Sequence, residues 1–245
     1  MTTYLLKALF LISFVEGIYA FINTSIKLRP SNLNSIFIHP QTSISLSSLG
    51  DFNVSLEKPL GIILEERDNG SGGVKVKELV EDGNAISSNI VQGDVLLAIG
   101  DVDTSSLDFD TVMETIISCD SPVRMTLGDG LGVLDMPKNV VKQLKSTEDA
   151  FLIDAIVRQS VREMRRRTNI LGDLLNVEVV IGAGVQEDGV TGQTRFFAIF
   201  STDGGVSSYS CNVSSKGRRL DDDSIEILSL SAAKDEGLGQ TYQFI

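Results

Sequence analysis

Few residues in this sequence are equipped for covalent chemistry. The one histidine, His39, lies in an amino-terminal stretch expected to be removed, which leaves no imidazole for a catalytic triad, a zinc site or a proton shuttle. Ser214, Ser215 and Lys216 supply the residue types of a Ser-Lys nucleophile, but adjacency does not make a catalytic pair, and no convincing Gly-x-Ser-x-Gly turn is found. Cys119 and Cys211 fit neither a zinc pattern nor a CxxC redox pair; two buried free thiols are expected, with a single disulfide as the alternative. Gly182-Ala183-Gly184 lacks the third glycine and the following helix of a dinucleotide loop, so a tight turn is expected there. Asp221-Asp222-Asp223 reads as a solvated loop without the further ligands a metal needs. The chain is expected to be no enzyme and to hold neither metal nor cofactor.

What remains for function is the main chain and the apolar side chains, and both depend on the elements that position them. Hydrophobic residues make up 42% of the chain and charged residues 22%, the balance of a protein that can bury a core. The length of 245 residues suits two ordinary domains. A formal net charge of −12 repels polyanions, so nucleic acid is not an expected partner. From Asp51 the texture is that of a small strand-rich domain, with strands predicted at 53–57, 61–66, 74–79, 95–99 and 123–127. A helix is predicted at 110–117, where Val112, Met113, Ile116 and Ile117 form an apolar face, and a shorter helical turn at 84–89.

Residues 129–145 read as a connector rich in glycine, with Pro137 before a helix start. Ser146-Thr147-Glu148-Asp149 offers a cap for a helix running to about residue 168. On it Ile153, Ile156, Val157, Ser160, Val161 and Met164 recur at steps of three and four, a face suited to packing on a sheet. Arg162, Arg165, Arg166 and Arg167 are expected as a solvated, dipole-compensating helix end, the alternative being contact with an acidic partner or a membrane surface. Segments 177–181, 195–201, 205–213 and 224–230 alternate with turns and predict an antiparallel meander, so residues 146–245 form a second α+β domain.

Four motifs in order over residues 51–128 resemble a PDZ domain. They are Pro59-Leu60-Gly61-Ile62-Ile63-Leu64, Glu81-Asp82-Gly83-Asn84-Ala85, Gln92-Gly93-Asp94-Val95-Leu96-Leu97-Ala98-Ile99-Gly100, and the stretch 106–117 followed by 123–127. The resemblance implies an α+β fold, a partly open β-barrel with two helices, and a binding function. A partner's carboxyl terminus or internal β-strand would pair with the strand starting at Gly61. The N–H groups of Leu60, Gly61 and Ile62 would meet the terminal carboxylate, and Gly61 would let the backbone approach. Leu60, Ile62 and Ile116 would line the pocket for the last side chain, and Ile63 and Leu64, which follow on the strand, would also be peptide-binding residues. Phe109 aligns with the first position of the groove helix, where one PDZ class carries a histidine; with Met113 it implies an apolar ligand residue two before the end. On the same resemblance Gly93-Asp94 is a structural turn. By periodicity alone Leu60, Ile62 and Met113 read as core. Glu65, Glu66, Asp108 and Asp110 would disfavour an acidic peptide.

The amino terminus reads as an address. Residues 1–20 carry Lys7, an apolar run of about eight residues and a small residue, Ala20, at the end, the layout of a signal peptide and too short to span a bilayer. Residues 21–50 contain no acid and many hydroxyls, as transit peptides do. With Tyr19-Ala20-Phe21-Ile22 at the junction, the whole resembles the bipartite plastid-targeting presequence of diatoms and related algae. It implies a stromal protein, or one on the stromal face of the thylakoid, with no transmembrane span in the mature chain. An ordinary secreted protein is the alternative, consistent with N-x-Ser sequons at Asn23, Asn53, Asn69 and Asn212. The combined expectation is a plastid adaptor or scaffold with its second domain contacting a thylakoid complex. The rival readings are a stable peripheral subunit of such a complex and a regulatory module related to PDZ-containing proteases.

Overall fold

The computed structural model describes residues 50–67, 72–235 and 239–245. The expected signal and transit segments, 1–20 and 21–50, lie outside these residues apart from Gly50, as does the sequon at Asn69. Mixed α+β architecture is observed, with two antiparallel sheets in succession.

The first sheet contains β1 (Phe52–Leu56), β2 (Ile62–Glu66), β3 (Val74–Leu79), β4 (Val95–Ile99), β5 (Val102–Asp103) and β6 (Val123–Gly128). Its order is β1-β6-β4-β3-β2, with β5 paired to β4, so β2 ends the sheet and one of its edges has no strand paired to it among the described residues. Helix α1 (Phe109–Ser118) begins where the Asp108 carboxylate accepts from the Thr111 N–H at 2.9 Å, satisfying one of the orphan donors of a helix start. Val112 and Ile116, one turn apart, are buried against Val76, Leu96 and Met125 in a single core. At the other end Lys58 Nζ donates to the carbonyls of Ile117 and Cys119 at 3.0 and 2.7 Å. The ammonium thus caps the helix and ties it to the loop before β2.

The second sheet contains β7 (Asp173–Val185), β8 (Thr191–Ser201), β9 (Tyr209–Arg219), β10 (Ile225–Lys234) and β11 (Thr241–Gln243), paired in the order β11-β10-β9-β8-β7. Helix α3 (Thr147–Arg165) lies over one face, after a helical turn α2 (Lys138–Val141) and before another, α4 (Thr168–Leu171). Its cap is the predicted one, with Ser146 Oγ accepting from the Asp149 N–H at 3.1 Å. Val157, Val161 and Met164 pack on Phe196, Phe200 and Val213. At the other half of the helix the sheet offers glycines, and a Cβ at Gly192 would lie 2.7 Å from Ile156 Cδ1. Leu134 and Val140 of the expected connector are buried in this second core, and the Asp135 carbonyl accepts from the Val180 N–H at 2.8 Å.

Several boundaries differ from expectation for local reasons. The strand predicted at 205–213 starts at Tyr209 and runs to Arg219, because Ser201 and Asp203 accept N–H groups from Gly205 and Ser207 and prolong the turn. The Gly182-Ala183-Gly184 sequence is no turn; it lies inside β7, an edge strand whose pairing with β8 shifts register at three places. Strand β11 has too few residues to show a period. The helix predicted to residue 168 ends at Arg165.

The largest correction concerns the arginines. Arg158, Arg162 and Arg165 recur at steps of four and three and are 8%, 6% and 9% exposed, so this stripe is buried and not solvated. Arg158 holds Asp129 Oδ2 and Asp154 Oδ2, both at 2.7 Å. Arg162 forks onto the Asp94 carboxylate at 3.0 and 3.2 Å, donates to the Asn89 carbonyl and lies 4.4 Å from the Phe52 ring centre. Arg165 donates to the Asp129 carbonyl at 2.8 Å. Arg166 and Arg167 pair with Glu163. Helix α3 therefore joins the two sheets, with apolar residues toward one and guanidinium groups toward the other.

Removing one partner of a buried pair strands the other, at a cost of about 3–5 kcal/mol. Arg162→Met should therefore lower the unfolding free energy by roughly that amount. Burial pushes the Asp94 carboxyl up, with Arg162 and Arg165 opposing. An acid with a raised native pKa contributes stability that is complete below its unfolded pKa and is lost as pH rises through the native one. Loss of Arg162 raises that pKa further, so the deficit of the variant should shrink as the pH falls from 7 toward 4, measured by denaturant titration at several pH values.

Candidate functional site

The site begins with the loop before β2. The Pro59, Leu60 and Gly61 carbonyls accept from the N–H groups of Asn84, Ala85 and Val80 at 3.4, 2.9 and 2.9 Å, and Asn84 Nδ2 reaches the Glu57 and Pro59 carbonyls. With its carbonyls held on that side, the loop presents the Leu60 and Gly61 N–H groups without an acceptor among the described residues. Successive backbone amides left unpaired in a turn can form an anion-binding concavity.

Gly61 has φ +72°, and a Cβ there would lie 2.2 Å from the Gly83 Cα; a Cβ at Gly83 would lie 2.3 Å from the Gly61 Cα. The missing side chain at Gly61 thus accommodates Gly83, and this backbone contact, not ligand approach, is what requires glycine. Gly83 belongs to one of the motifs that carry the resemblance, but its partner could not be inferred from spacing.

Below the loop lies an apolar cavity of about 50 Å³. Leu60, Ile62, Leu64, Met113 and Ile116 line it, and Val76, Leu96, Met125 and Leu127 complete the lining. Nothing in the sequence marks the latter four as cavity residues, because residues on strands of one sheet carry no local mark of shared contact. Ile63 is 41% exposed and does not line the cavity, as the period of two along a strand requires. Phe109, the first residue of α1, is half-buried against the same core but outside the cavity lining. It stands one turn before Met113 on the same side of the helix.

Two of the four acids near the groove are engaged. Glu65 pairs with Lys75 and Lys77 at 3.4 and 3.9 Å. Asp108 caps α1, and the Thr111 hydrogen bonds hold its carboxyl below the usual range. Elsewhere, Ser215 is buried and shares a hydrogen bond with Ser160 at 2.7 Å, while neighbouring Ser214 is exposed. Asp222 accepts from Ser224 in a turn, and no metal-binding group of His, Cys, Asp or Glu occurs among the described residues. Both cysteines are free; Cys119 is only half-buried, whereas burial pushes the Cys211 thiol up to about 11 and makes it unreactive at neutral pH. No helix among the described residues is long and apolar enough to cross a membrane.

Residues 52–128 match the family model of the PDZ domain. This segment is a PDZ domain. Similar solved structures include the second PDZ domain of Dlg1 from the choanoflagellate Monosiga brevicollis, 18% identical over 32% of this chain and 90% of that one, with a TM-score of 0.30. The third PDZ domain of INAD, in complex with a TRP channel tail, is 24% identical over 32% and 84%, with a TM-score of 0.29. A choanoflagellate GIPC PDZ domain bound to GAIP peptide is 21% identical over 32% and 89%, with a TM-score of 0.29. Comparison with curated proteins gave no match. PDZ domains are protein-interaction modules that add an extended peptide to a sheet edge.

The close contact within the PDZ loop makes a contrasting prediction. Gly61→Ala should cost more than about 2 kcal/mol, because it adds both strain at positive φ and a backbone clash. Gly184→Ala, where a Cβ meets nothing within 4 Å, should change stability by no more than about 0.5 kcal/mol. Chemical denaturation of the two variants measures the difference.

Proposed function

We propose that this chain is a non-enzymatic plastid adaptor that captures the apolar carboxyl terminus of a partner protein between β2 and α1. The observation that carries the reading is the edge of β2, to which no strand pairs among the described residues, beside two unpaired loop amides and an apolar cavity. A ligand strand added to β2 takes main-chain hydrogen bonds along the edge, while its carboxylate meets the Leu60 and Gly61 amides. Its last side chain enters the cavity lined by Leu60, Ile62, Leu64, Met113 and Ile116; an uncharged lining and small volume favour an aliphatic residue. Two residues earlier, the ligand side chain faces Phe109 and Met113, which offer apolar contact and no hydrogen bond. All nine cavity-lining residues lie between positions 60 and 127, so the second domain leaves the groove to the ligand.

The second α+β body contacts another component, and assembly of a photosynthetic complex is the proposed setting. Only the presequence supports that setting, through its Ala20-Phe21 junction and acid-free tail.

Fluorescence anisotropy on the full chain tests the groove. Peptides ending in Val, Ile or Leu with a free carboxylate should bind at least about tenfold more tightly than the same peptides as amides. Met113→Glu should abolish binding while circular dichroism shows that the variant remains folded. Equal affinity for acid and amide would exclude capture of a carboxyl end. For the address, the full chain with a carboxyl-terminal fluorescent protein should enter the plastid of a diatom, and Phe21→Ala should divert it to the secretory route; plastid import of the variant would remove the support for this location.

A further inference from the structure

The face of the second sheet turned away from α3 is built differently from the face beneath the helix. Along β8, Thr194 and Phe196 are buried while Gln193 and Arg195 are exposed; along β9, Val213 and Ser215 are buried while Ser214 is exposed. The strand register sets Arg195 opposite Ser214 and Gln193 opposite Lys216. On the next strand Ser231 stands opposite Ser214, and Ser229 opposite Lys216. On the other side Gly182 and Gly184 stand opposite Arg195 and Gln193. Two cations therefore sit diagonally on neighbouring strands, surrounded by small residues.

These residues line an open concavity of about 470 Å³, and no carboxylate lines it. Packing does not account for its shallow floor, since a Cβ at Gly184 would meet nothing within 4 Å and one at Gly182 only the Arg195 Cβ at 3.9 Å. Neither Arg195 nor Lys216 forms an ion pair among the described residues, whereas Arg218 in the same sheet pairs with Glu226 at 2.7 Å. Asp188, in the turn between β7 and β8, feels the Lys216 charge, but its carboxylate already accepts from Val190 and Thr191. The side chains of Gln193, Ser214, Ser229 and Ser231 make no hydrogen bond to another described residue, so their donors are open to a ligand.

We infer that this face binds an acidic segment of a partner polypeptide, with carboxylates at alternate positions. Diagonal residues of an antiparallel pair are about 7–8 Å apart. Alternate residues of an extended chain are about 7 Å apart. Such a segment places one carboxylate at Arg195 and the next at Lys216, while the serine hydroxyls donate to the remaining carboxylate oxygens. The glycine and serine floor lets the incoming backbone come close. The chain's net charge of −12 repels an acidic partner only weakly beyond the Debye length of about 8 Å at physiological salt, so the local pair of cations decides the contact.

The probe is a labelled peptide of alternating glutamate and serine, blocked at both ends so that it offers no carboxyl terminus to the PDZ groove. It should bind the full chain, weaken as salt is raised, and lose at least about tenfold in affinity to R195Q/K216Q. The melting temperature of that variant should match the parent, because neither side chain is part of a buried pair. Equal binding of the glutamine-serine peptide, or undiminished binding by the double variant, would overturn the assignment. Displacement of the peptide by an equimolar amount of inorganic phosphate would also overturn it, in favour of a site for a compact anion.

Discussion

Three guanidinium groups on one stripe of α3 lie out of water against three carboxylates, and the arrangement of the two sheets depends on them. Burying six charges is expensive, and exchange for apolar residues is often no worse for stability. What the pairs supply is a single geometry. A planar guanidinium meets its acceptors only in a fixed fork, which a lysine would not require. Arg158 spans from its own helix to Asp129, Arg162 is flat enough to lie over Phe52 while forking onto Asp94, and Arg165 reaches the Asp129 carbonyl. Asp94 also accepts from the Val91 N–H at 2.9 Å, so one carboxylate both shapes the turn before β4 and receives the helix. The docking of the second domain and the local fold of the PDZ domain are thus one set of hydrogen bonds.

The groove is organised on the opposite principle, by leaving donors unmet. Because the segment 80–85 takes the carbonyls of the loop before β2, the neighbouring amides keep a fixed direction without a partner. Lys58, bonded to the end of α1, joins the helical wall of the groove to the loop that precedes its strand wall. The residues that meet the arginines belong to β1, the approach to β4 and the segment after β6, whereas β2 lies at the far edge of the sheet. A ligand can occupy the edge without disturbing the buried charges.

Local pattern carried much of the first sheet, where alternation and turn residues place strands within a residue or two of their observed ends. It also carried the helix cap at Ser146, whose chemistry is contained in four consecutive residues. It failed where the deciding partner is distant. Arg162 and Asp94 are 68 positions apart, and a stripe of arginines looks the same in sequence whether water or carboxylates face it. Gly182-Ala183-Gly184 misled for a related reason, since glycine marks both turns and strands with an open neighbouring face. At the groove, Leu60, Ile62, Leu64, Met113 and Ile116 could be placed together by resemblance, but the mutual need of Gly61 and Gly83 is a contact between backbones that no residue pattern announces.

Strand β7 gives the molecule a second, contrasting edge. Thirteen residues of β-structure at the border of a sheet are a template for unwanted pairing, yet three register shifts interrupt this one and the Asp135 carbonyl occupies the Val180 amide. A flat strand from another molecule would lose its register against such an edge within a few residues. The two edges thus differ by geometry: β2 is five residues long and offers a short border, while the much longer β7 is too irregular to seed a growing sheet.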